Sequence, residues 1–472
     1  MCVNSLERSV DDRVIGICER VREKGGRALL VGGWVRDRLL GLESKDHDIE
    51  VFGLAPERLI EILDRDFSTD VVGASFGVVK ILGAHIDVSI PRRDSWVPEL
   101  DSADATPRNP HRAFLISTDP FMSIEDAARR RDFTINAISY DPLTREYLDP
   151  LNARRDLEQR LLRHTSDEHF AEDPLRVLRA MQFVARFELS VDPATRTLCR
   201  RIDLTGLSRE RVFEEWRKLI LRGQHISRGL TFLRNCEQLA PYPELAALID
   251  CPQEPEWHPE GDVWVHTLHC MDFFAANRVG DEYDDLVVGF AVLCHDFGKP
   301  ATTRVEEGRV RARGHAETGV EVTERFLRRM TDQRTLIEDV APLVQHHLAP
   351  RQLYDQAASD AAIRRLARRV GRIDRLARVS LADAMGRPPL SSSAADMPPI
   401  TSLLERAAAL EVVNTAPESI LKGRHLLALG VEPGPRMGEI IRACYEKQLD
   451  GEVASLDEAL ELAKHLLGRT AS

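Results

Sequence analysis

The stretch LVGGWVRDRLLG (30–41), followed by KDHDIEVFG (45–53), decides the fold of this chain. A β-prone run ends at two adjacent glycines, and apolar residues at helical spacing follow them. The sequence therefore predicts a strand, a tight turn and a helix, with another strand soon after. The β-rich runs are 28–31, 48–52, 78–82 and 86–90. Because helical stretches separate these runs, the first part of the chain is predicted to be a compact α/β unit.

Paired carboxylates stand at the start of the second strand. Asp46 and Asp48 are two residues apart, so both side chains are predicted to point to the same face. Like charges at this spacing repel unless a cation lies between them. Mg²⁺ prefers one or two carboxylates with substrate phosphate oxygens, and Asp87 in a later strand would complete the set. A solvated strand end would show the same pair, so the spacing leaves both interpretations open.

Composition limits the class of protein. At roughly 150 residues per domain, 472 residues predict about three domains. The net charge of -12 argues against a protein that coats nucleic acid, because such binding needs many phosphate-neutralising side chains. No apolar window approaches the ~18–20 residues of a membrane helix, and the polar N-terminal stretch is unlike a secretory signal. With no C-x-x-C pair among eight cysteines, we expect a cytoplasmic protein with reduced thiols and no membrane contact.

The rest of the chain divides into a loop and a long helical region. Residues 95–120 are rich in Pro, Asp, Ser and Asn and are predicted to form a long exposed loop, which is often functional. From residue 152 onward the apolar spacing is helical, and SSSAADMPP (391–399) predicts a linker.

Two further motifs carry groups suited to nucleotides. In RRRDFTINAISYD (129–141), Arg131 suits phosphate oxygens, whereas Asp132 and Asn136 can hydrogen-bond a 2′-hydroxyl. AEDPLRVLRAMQFVARF (171–187) places an aspartate and an arginine three residues apart on one helix face.

This carboxylate–guanidinium pair, Asp173 and Arg176, suits the reading of bases. Cytosine and adenine present an amino donor beside a ring-nitrogen acceptor, whereas uracil and guanine present the reverse order. The pair would accept C and A, and it would reject U and G by leaving buried polar groups unpaired. Alternatively, Asp173 caps a helix that begins at Pro174.

In this order the motifs resemble the head domain of class II tRNA nucleotidyltransferases and bacterial poly(A) polymerases. The resemblance implies a polymerase-β-like head in which a primer 3′-hydroxyl attacks the α-phosphorus of CTP or ATP. It implies that Asp46, Asp48 and Asp87 are the catalytic residues and that Asp46 and Asp48 hold Mg²⁺. The implied nucleotide-binding residues are Gly32, Gly33, Arg36, Arg131, Asp132, Asn136, Glu172, Asp173, Arg176 and Arg179.

A second group of motifs is rich in histidine. The segments are WHPEGDVWVHTLHCMDFF (257–274), AVLCHDFGKP (291–300), RGHAETG (313–319), LVQHHLAP (343–350) and ADAMGRPP (382–389). Adjacent His295 and Asp296 in an apolar helix are costly to bury without a metal or ion partner. Any one histidine suits a structural role, but the whole set resembles the HD-domain phosphohydrolases. The implied metal ligands are His266, His295, Asp296 and Asp383, with His315 and His347 extending the site to a second metal. Such ligands suit Ni, Mn, Co, Fe or Zn better than Mg²⁺ alone, although Mg²⁺ remains an option.

Head and HD motifs together resemble the multifunctional CCA-adding enzymes over about residues 27–390. The implied α+β architecture is an α/β head followed by all-α neck, HD and tail domains. The implied boundaries are 1–150 for the head, 151–250 for the neck with its base-reading helix, 251–390 for the HD domain and 391–472 for the linker and helical tail. The resemblance implies CCA addition to tRNA, with phosphatase and 2′,3′-cyclic phosphodiesterase activity on RNA ends and no stable protein partner.

Four alternative functions stay open at this point. A bacterial poly(A) polymerase shares the head motifs, although the tail here is acidic rather than basic. A specialised CC-adding or A-adding enzyme is an option because the loop at 93–122 is longer and richer in proline than the family pattern. A regulatory uridylyltransferase would use a protein acceptor, and an HD phosphohydrolase would use the head only to bind RNA.

The segment AAIRRLARRVGRIDRLARVS (361–380) contains seven arginines and one aspartate. It predicts either a stripe that follows the tRNA phosphates or a solvated helix face with partners in the same domain.

Overall fold

The computed structural model describes residues 10–72, 78–96, 114–387 and 397–468. The chain divides into two compact units. The first is Met1–Ser208 with Asn235–Gln238, and the second is Arg209–Arg234 with Leu239–Ser472. The division falls inside the predicted neck, and the four-domain boundaries stay a prediction.

The first unit combines a sheet with helices. Its helices are α1 (Asp12–Glu23), α2 (Gly33–Leu39), α3 (Pro56–Leu63), α4 (Ile124–Arg129), α5 (Ala153–Glu158), α6 (Asp167–Ala171), α7 (Leu175–Phe187) and α8 (Pro193–Arg201). Its strands are β1 (Arg27–Val31), β2 (His47–Phe52), β3 (Thr69–Val72), β4 (Val78–Ile81), β5 (Ile86–Ser89), β6 (Arg92–Trp96), β7 (Phe114–Thr118), β8 (Ser139–Asp141), β9 (Glu146–Leu148), β10 (Leu161–Leu162) and β11 (Ser190–Val191).

A mixed seven-stranded sheet organises this unit, with the strand order β3-β4-β5-β2-β1-β8-β9. Strand β2 pairs antiparallel with β1 and parallel with β5. Apolar residues of α1 and α3, such as Ile17 and Leu63, pack with Leu30 and Ile49 of the sheet. The predicted α/β head is confirmed, and the parallel β2–β5 pair is the feature that positions the candidate site.

The predicted loop over residues 95–120 is wrong at both ends. Strands β6 and β7 form an antiparallel ribbon in which Arg92 lies opposite Thr118 and Trp96 lies opposite Phe114. The run FLIST (114–118) has high β propensity. The average composition of residues 95–120 hides this run, because Pro, Asp and Ser surround it. The remainder of that loop, residues 97–113, lies outside the described residues.

The second unit is mainly helical. Its helices are α9 (Arg209–Arg222), α10 (Ile226–Asn235, whose last residue belongs to the first unit), α11 (Pro243–Ala246), α12 (Val263–Ala276), α13 (Glu282–Cys294), α14 (Lys299–Thr302), α15 (His315–Arg328), α16 (Arg334–His346), α17 (Ala349–Asp355), α18 (Asp360–Val370), α19 (Ile373–Met385), α20 (Pro398–Ala409), α21 (Gly423–Ala428), α22 (Pro435–Asp450) and α23 (Leu456–Gly468). A short hairpin joins β12 (Arg304–Glu306) to β13 (Arg309–Arg311).

Helix α13 is the centre of this unit. Every residue from Asp285 to Cys294 is buried, and the helix packs against α9, α12, α16 and α19. A helix that is apolar on all sides belongs in a core. The buried α13 therefore delivers the residues that follow it, His295 and Asp296, into the middle of the helical unit.

Helices α21, α22 and α23 share a small apolar core that includes Leu426, Ile440 and Ala463. The helical tail is thus confirmed, whereas residues 391–396 of the predicted linker lie outside the described part of the chain. Among the described residues, no helix is long and apolar enough to cross a membrane. The described cysteines are all free and buried, and Cys2 is not among them.

Candidate functional sites

Asp48 and Asp87 lie side by side in the first unit. They occupy directly paired positions of the parallel strands β2 and β5. Both line a cleft of about 360 Å³, together with Glu50, Arg130 and Arg131. Sheet pairing therefore brings together two predicted catalytic residues that are far apart in sequence.

Asp46 lies apart from this pair. It precedes β2, its side chain is 80% exposed, and its Oδ1 lies 3.4 Å from Nδ1 of His85. Asp46 is not among the residues that line the cleft. It is nevertheless close enough to Asp48 to raise the pKa of that carboxyl.

Negative charge accumulates around Asp48. Burial raises the pKa of Asp48, and Arg131 opposes this shift. The carboxylates that raise this pKa further are Asp87, Asp46 and Glu50. Arg131 is also shared with Glu50, at 3.1 Å. This excess of carboxylate oxygens fits a divalent cation of the Mg²⁺ type.

Gly32 brings the backbone against the same groups. Its φ of 70° lies in the left-handed region that favours glycine. A Cβ at this position would lie 3.4 Å from both Nη1 of Arg131 and Oδ2 of Asp48. Gly33 follows as the first residue of α2. The positive φ is therefore what favours glycine here, since a Cβ at these distances would only be in van der Waals contact with the two side chains.

Arg36 is buried, and the structure does not bring it into the cleft. The residue is 4% exposed, and its guanidinium donates to Asp37 at 2.6 Å and to Oδ1 of Asn136 at 2.7 Å. It also lies over the ring of Phe187, 4.4 Å from the ring centroid. The predicted direct nucleotide contact of Arg36 is therefore not supported by its position, which instead fixes Asn136.

Asp132 and Asn136 continue this buried network. Nδ2 of Asn136 donates to Oδ1 of Asp132 at 2.9 Å, and Nε of Arg179 donates to Oδ2 of Asp132 at 2.7 Å. Burial alone would raise the pKa of Asp132, but Arg179 and Asn136 outweigh it and hold the pKa below its ordinary value. Four predicted nucleotide-binding residues thus form one chain from α2 to α7, which we call the buried polar chain: Arg36, Asn136, Asp132 and Arg179.

The proposed base-reading residues lie at the start of α7. Arg176 donates from Nη1 to the carbonyl oxygen of His169 at 2.6 Å and from Nη2 to that of Arg130 at 2.8 Å. Oδ1 of Asp173 accepts a backbone N–H at the helix start at 3.1 Å, so the capping alternative holds for one of its oxygens. Glu172 lies 3.0 Å from the ring of His169. Arg176 therefore anchors α7 to residues 129–131, the run of three arginines that directly precedes Asp132.

The predicted histidines and aspartates converge in the second unit. They are His266 on α12, His295 and Asp296 after α13, His315 at the start of α15, His347 after α16 and Asp383 on α19. All six are buried. Residues spread over about 120 positions of sequence are thus gathered around the end of α13.

Two histidine–aspartate contacts form one side of this cluster. Nε2 of His266 lies 3.1 Å from Oδ1 of Asp383, and Nε2 of His295 lies 3.2 Å from Oδ2 of Asp296. Nε2 of His266 is also 3.9 Å from Oδ2 of Asp296. The imidazoles and carboxylates therefore face one another across a common centre.

His315 and His347 form the other side. Their Nε2 atoms lie 3.3 Å apart, and Nε2 of His315 is 3.5 Å from Oδ1 of Asp296. Nδ1 of each ring lies 2.7 Å from a backbone carbonyl oxygen, at Ala312 and Val344 respectively. Such backbone contacts fix the ring orientation and direct Nε2 towards the cluster.

Several ligand atoms in this cluster are unsatisfied. Nε2 of His295 and both oxygens of Asp296 are buried without a hydrogen bond from the described residues, although Nζ of Lys299 is 2.7 Å from one of these oxygens. Burial would raise the pKa of Asp296, but His295 and Lys299 hold it well below the ordinary value. Ligand atoms of Asp296, His315 and His347 lie within 4.8 Å of one another. Imidazole nitrogens and carboxylate oxygens that are buried without a hydrogen bond are suitable ligand atoms for a divalent metal.

Sequence reasoning missed Glu260. Its Oε1 lies 2.8 Å from Nδ1 of His266 and 2.8 Å from Nδ1 of His258, and its side chain is fully buried. Burial would raise the pKa of Glu260, but the hydrogen bonds with His266 and His258 lower it to about 2. A carboxylate behind a ligand histidine orients the ring and increases its basicity. The signal was present, because Glu260 ends the WHPE motif.

Two motif glycines allow close packing at this cluster. A Cβ on Gly298 would lie 2.0 Å from the carbonyl oxygen of His315, and a Cβ on Gly386 would lie 2.4 Å from Sγ of Cys270. Cys270, which the sequence reasoning did not single out, is itself 3.4 Å from Nε2 of His266. These distances explain the glycines in HDFGK and DAMGR.

The arginines of α18 and α19 are largely held in ion pairs. The pairs are Arg365–Asp450, Arg368–Glu446, Arg372–Asp284, Arg375–Asp284 and Arg378–Asp285. Of the two alternatives for residues 361–380, the structure therefore favours a helix face with partners in its own unit. A stripe of arginines reserved for phosphate would leave these guanidinium groups unpaired.

The sheet with paired carboxylates, together with the buried histidine–aspartate cluster, defines a polymerase-β-like nucleotidyltransferase that carries an HD domain. The family model described as the poly A polymerase head domain matches residues 28–163, and the HD domain model matches residues 263–379. The chain belongs to the family of multifunctional CCA proteins.

Three known proteins illustrate the similarity. The multifunctional CCA protein of Xanthomonas oryzae pv. oryzae is 34% identical over 87% of this chain and 95% of its own length. The crystal structure of the Bacillus stearothermophilus CCA-adding enzyme in complex with CTP has a TM-score of 0.65 at 22% identity, over 97% of this chain and 98% of the other. The Thermotoga maritima CCA-adding enzyme complexed with tRNA has a TM-score of 0.56 at 18% identity, over 98% and 97%. The two structures establish likeness of fold.

Nucleotidyltransferase and HD domains generally bind divalent metals. Among the described residues, the groups whose ligand atoms lie within 4.8 Å of one another are in the helical unit, and which metal they would hold is not shown.

Proposed function

We propose that this protein adds the sequence CCA to the 3′ end of tRNA from CTP and ATP, without a nucleic-acid template. The proposal rests chiefly on the pairing of Asp48 and Asp87 on parallel strands, in a cleft that also contains Arg131. Membership of the multifunctional CCA family supports the choice of substrates. We propose a cytoplasmic location and no stable protein partner.

The head cleft contributes positioning and charge stabilisation, the main needs of phosphoryl transfer. The tRNA 3′-hydroxyl oxygen attacks the α-phosphorus of the nucleotide, the bond from this phosphorus to the bridging oxygen breaks, and pyrophosphate leaves. Asp48 and Asp87, with Asp46 at the edge, would hold Mg²⁺, which supplies charge neutralisation at the attacking and leaving oxygens. Arg131 binds triphosphate oxygens with its guanidinium.

Protein side chains select the base. Oδ1 of Asp173 accepts a backbone N–H at the start of α7, and the Asp173 carboxylate is assigned to accept the amino group of cytosine or adenine, because each carboxylate oxygen has more than one lone pair. Arg176 donates to the ring nitrogen, and its two carbonyl contacts hold the guanidinium still. The buried polar chain positions α7 relative to the glycine turn. A fixed pair of donor and acceptor discriminates because the wrong base leaves both unsatisfied.

The helical unit hydrolyses phosphate esters at RNA ends, namely 2′,3′-cyclic phosphates and terminal phosphomonoesters. Its histidine–aspartate cluster would hold a divalent transition metal or Mg²⁺, which supplies an activated water and polarises the phosphate. Lys299 and Arg387 line the same cleft of about 270 Å³ and are suited to bind phosphate oxygens.

The nearest alternatives share the head chemistry. A poly(A) polymerase would add A residues repeatedly, and a specialised enzyme would add only C or only A. The complete histidine–aspartate cluster favours a multifunctional CCA enzyme over a poly(A) polymerase. Acidic residues such as Glu446 and Asp450 on α22 also differ from the basic tail expected of the polymerase.

The test uses tRNA transcripts that end before CCA, after the first C, and after CC. Each transcript is incubated with labelled CTP or ATP, and the products are sequenced. We expect each 3′ end to be completed to CCA and extension to stop there. Long A tails would indicate a poly(A) polymerase, C or A addition alone would indicate a specialised enzyme, and no incorporation would overturn the proposal.

A further inference from the structure

Trp257 presents a large aromatic side chain to solvent beside the HD cluster. It is 59% exposed, whereas Trp34, Trp216 and Trp264 are at most 7% exposed. Trp257 also lines the cleft that contains the histidine–aspartate cluster. A single exposed aromatic residue is common on protein surfaces, and what distinguishes Trp257 is its place among the residues that line a polar cleft, where the indole can meet a ligand.

The backbone around Trp257 is held in place from both sides. Its N–H donates to the carbonyl oxygen of Glu254 at 3.0 Å, and Oε2 of Glu254 accepts the N–H of Val310 at 2.9 Å. On the other side, Nδ1 of His258 lies 2.8 Å from Oε1 of Glu260. The indole therefore belongs to a fixed segment. Because this segment is already ordered, binding a ligand against the indole costs the protein little conformational entropy.

Cationic side chains border the same cleft. Nζ of Lys299 lies 2.7 Å from Asp296, and Nη2 of Arg387 lies 2.9 Å from Asp383. Both cations thus stand beside carboxylates of the cluster, where a phosphate ester would be hydrolysed. A ligand that contacts these cations and also the indole carries a phosphate and a flat aromatic group, and a nucleotide has both.

We propose that Trp257 is the platform on which the terminal base of the phosphate-bearing RNA end stacks. The HD cleft then takes nucleotides in preference to phosphates without a base, and it tolerates different bases because each has a π-face. This inference rests on the proposed phosphohydrolase function. Hydrolysis of the cyclic ester breaks one P–O bond, and water supplies the oxygen on phosphorus and the proton on the released hydroxyl.

The test compares adenosine 2′,3′-cyclic phosphate with methyl riboside 2′,3′-cyclic phosphate, which has no base. For Trp257→Ala we expect KM for the nucleotide to rise about tenfold or more, because each base stack contributes on that scale, with kcat little changed. For the base-free substrate, KM and kcat should be the same in the wild type and in the variant. Trp257→Phe should restore most of the nucleotide affinity, and the control Tyr354→Ala, which alters an exposed aromatic residue outside the cleft lining, should have no effect.

Tryptophan fluorescence gives a second readout that does not depend on turnover. Adenosine 3′-monophosphate should quench the emission of the wild-type protein, and Trp257→Phe should lose this quenching while keeping its far-UV circular dichroism. If Trp257→Ala raises KM equally for both substrates, or leaves KM for the nucleotide unchanged, the stacking role is overturned while the phosphohydrolase proposal stays intact. If the wild type hydrolyses neither substrate, the phosphohydrolase proposal fails, and the stacking role fails with it.

Discussion

His346 and His347 are neighbours in sequence with different surroundings. His347 is buried with Nε2 in the cluster, whereas His346 is only partly buried and outside it. We expect His347→Ala to reduce bound divalent metal at least about tenfold and to abolish cyclic-phosphate hydrolysis, because a metal ligand is lost. His346→Ala is the matched control and should keep both, as measured by metal analysis after incubation with Mn²⁺. Equal behaviour of the two variants would contradict the assignment of His347.

Glu260 acts on the cluster through His266. Glu260→Gln keeps a side chain of the same size but removes the charge that orients the imidazole and increases its basicity. We expect metal affinity to fall by about 10–100-fold, the usual effect of losing such a partner. Glu256→Gln alters a glutamate that is 57% exposed, and it should bind metal like the wild type. Unchanged metal titrations for Glu260→Gln would show that Glu260 is only structural.

Asp173 has two candidate roles that one substitution separates. Asn caps a helix as well as Asp does, so Asp173→Asn should preserve the fold. It presents an amide that offers both a donor and an acceptor, and we expect the preference for CTP over UTP to fall about tenfold or more. Glu168→Gln, an exposed change on α6, is the control. If kcat/KM for the two nucleotides keeps the wild-type ratio, Asp173 is a cap alone.

At the residue scale, spacing and motif order predict which side chains come together, and their roles stay predictions. The structure brings Asp48 to Asp87 and gathers the six HD residues, whereas Asp46, the first residue of the D-x-D motif, lies before β2 with an exposed side chain outside the cleft. Arg36 could not be placed, because a charged side chain is normally exposed and its burial depends on Asp37 and Asn136 together.

The contact between helices α13 and α19 depends on Asp284. Its Oδ1 lies 2.5 Å from Nη2 of Arg375, and its Oδ2 lies 2.7 Å from Nη2 of Arg372. Burial would raise the pKa of Asp284, but these arginines hold it below its ordinary value of 3.8. The ion pairs therefore stabilise the fold above that pH and lose their effect as the pH falls below it.

Asp284→Asn should lower the free energy of unfolding by about 1–3 kcal/mol at pH 7, because two guanidinium groups lose a charged partner. The difference from wild type should shrink when urea denaturation is repeated near pH 3. Asp355→Asn breaks an exposed pair with Arg351, and it should cost less than about 1 kcal/mol at either pH. A constant difference across this range would contradict the role of the Asp284 charge.

The apolar spacing of the sequence predicts the regular helices and the strands of the main sheet. It does not predict elements that depend on partners far away in the sequence. The ribbon of β6 and β7 depends on pairing between two segments on either side of a stretch rich in Pro, Asp and Ser, and the pattern of one segment does not identify its partner. The arginines of α18 could not be assigned from sequence, because their partners Glu446 and Asp450 lie some 80 residues away on α22.

The whole molecule carries two sites of different chemistry in two separate units. Paired carboxylates lie on the sheet of the first unit, and imidazoles and carboxylates gather at the end of α13 in the helical unit. The net charge of -12 is the excess of 76 Asp and Glu residues over 64 Lys and Arg residues, and it does not report how charge is distributed locally. It therefore says little about RNA binding, except that such binding should be local and sensitive to salt.

We propose that the Asp48 carboxylate supports CCA addition independently of the helical unit. The most direct measurement is extension of a tRNA lacking CCA by wild type, Asp48→Asn and His295→Ala, with cyclic-phosphate hydrolysis measured in parallel. Asp70→Asn, an exposed aspartate on β3, is the control. We predict that Asp48→Asn loses addition by about 10³-fold or more and keeps hydrolysis, and that His295→Ala does the opposite. Retained addition in Asp48→Asn, or loss of both activities in either variant, would show that the two sites do not act independently in this way.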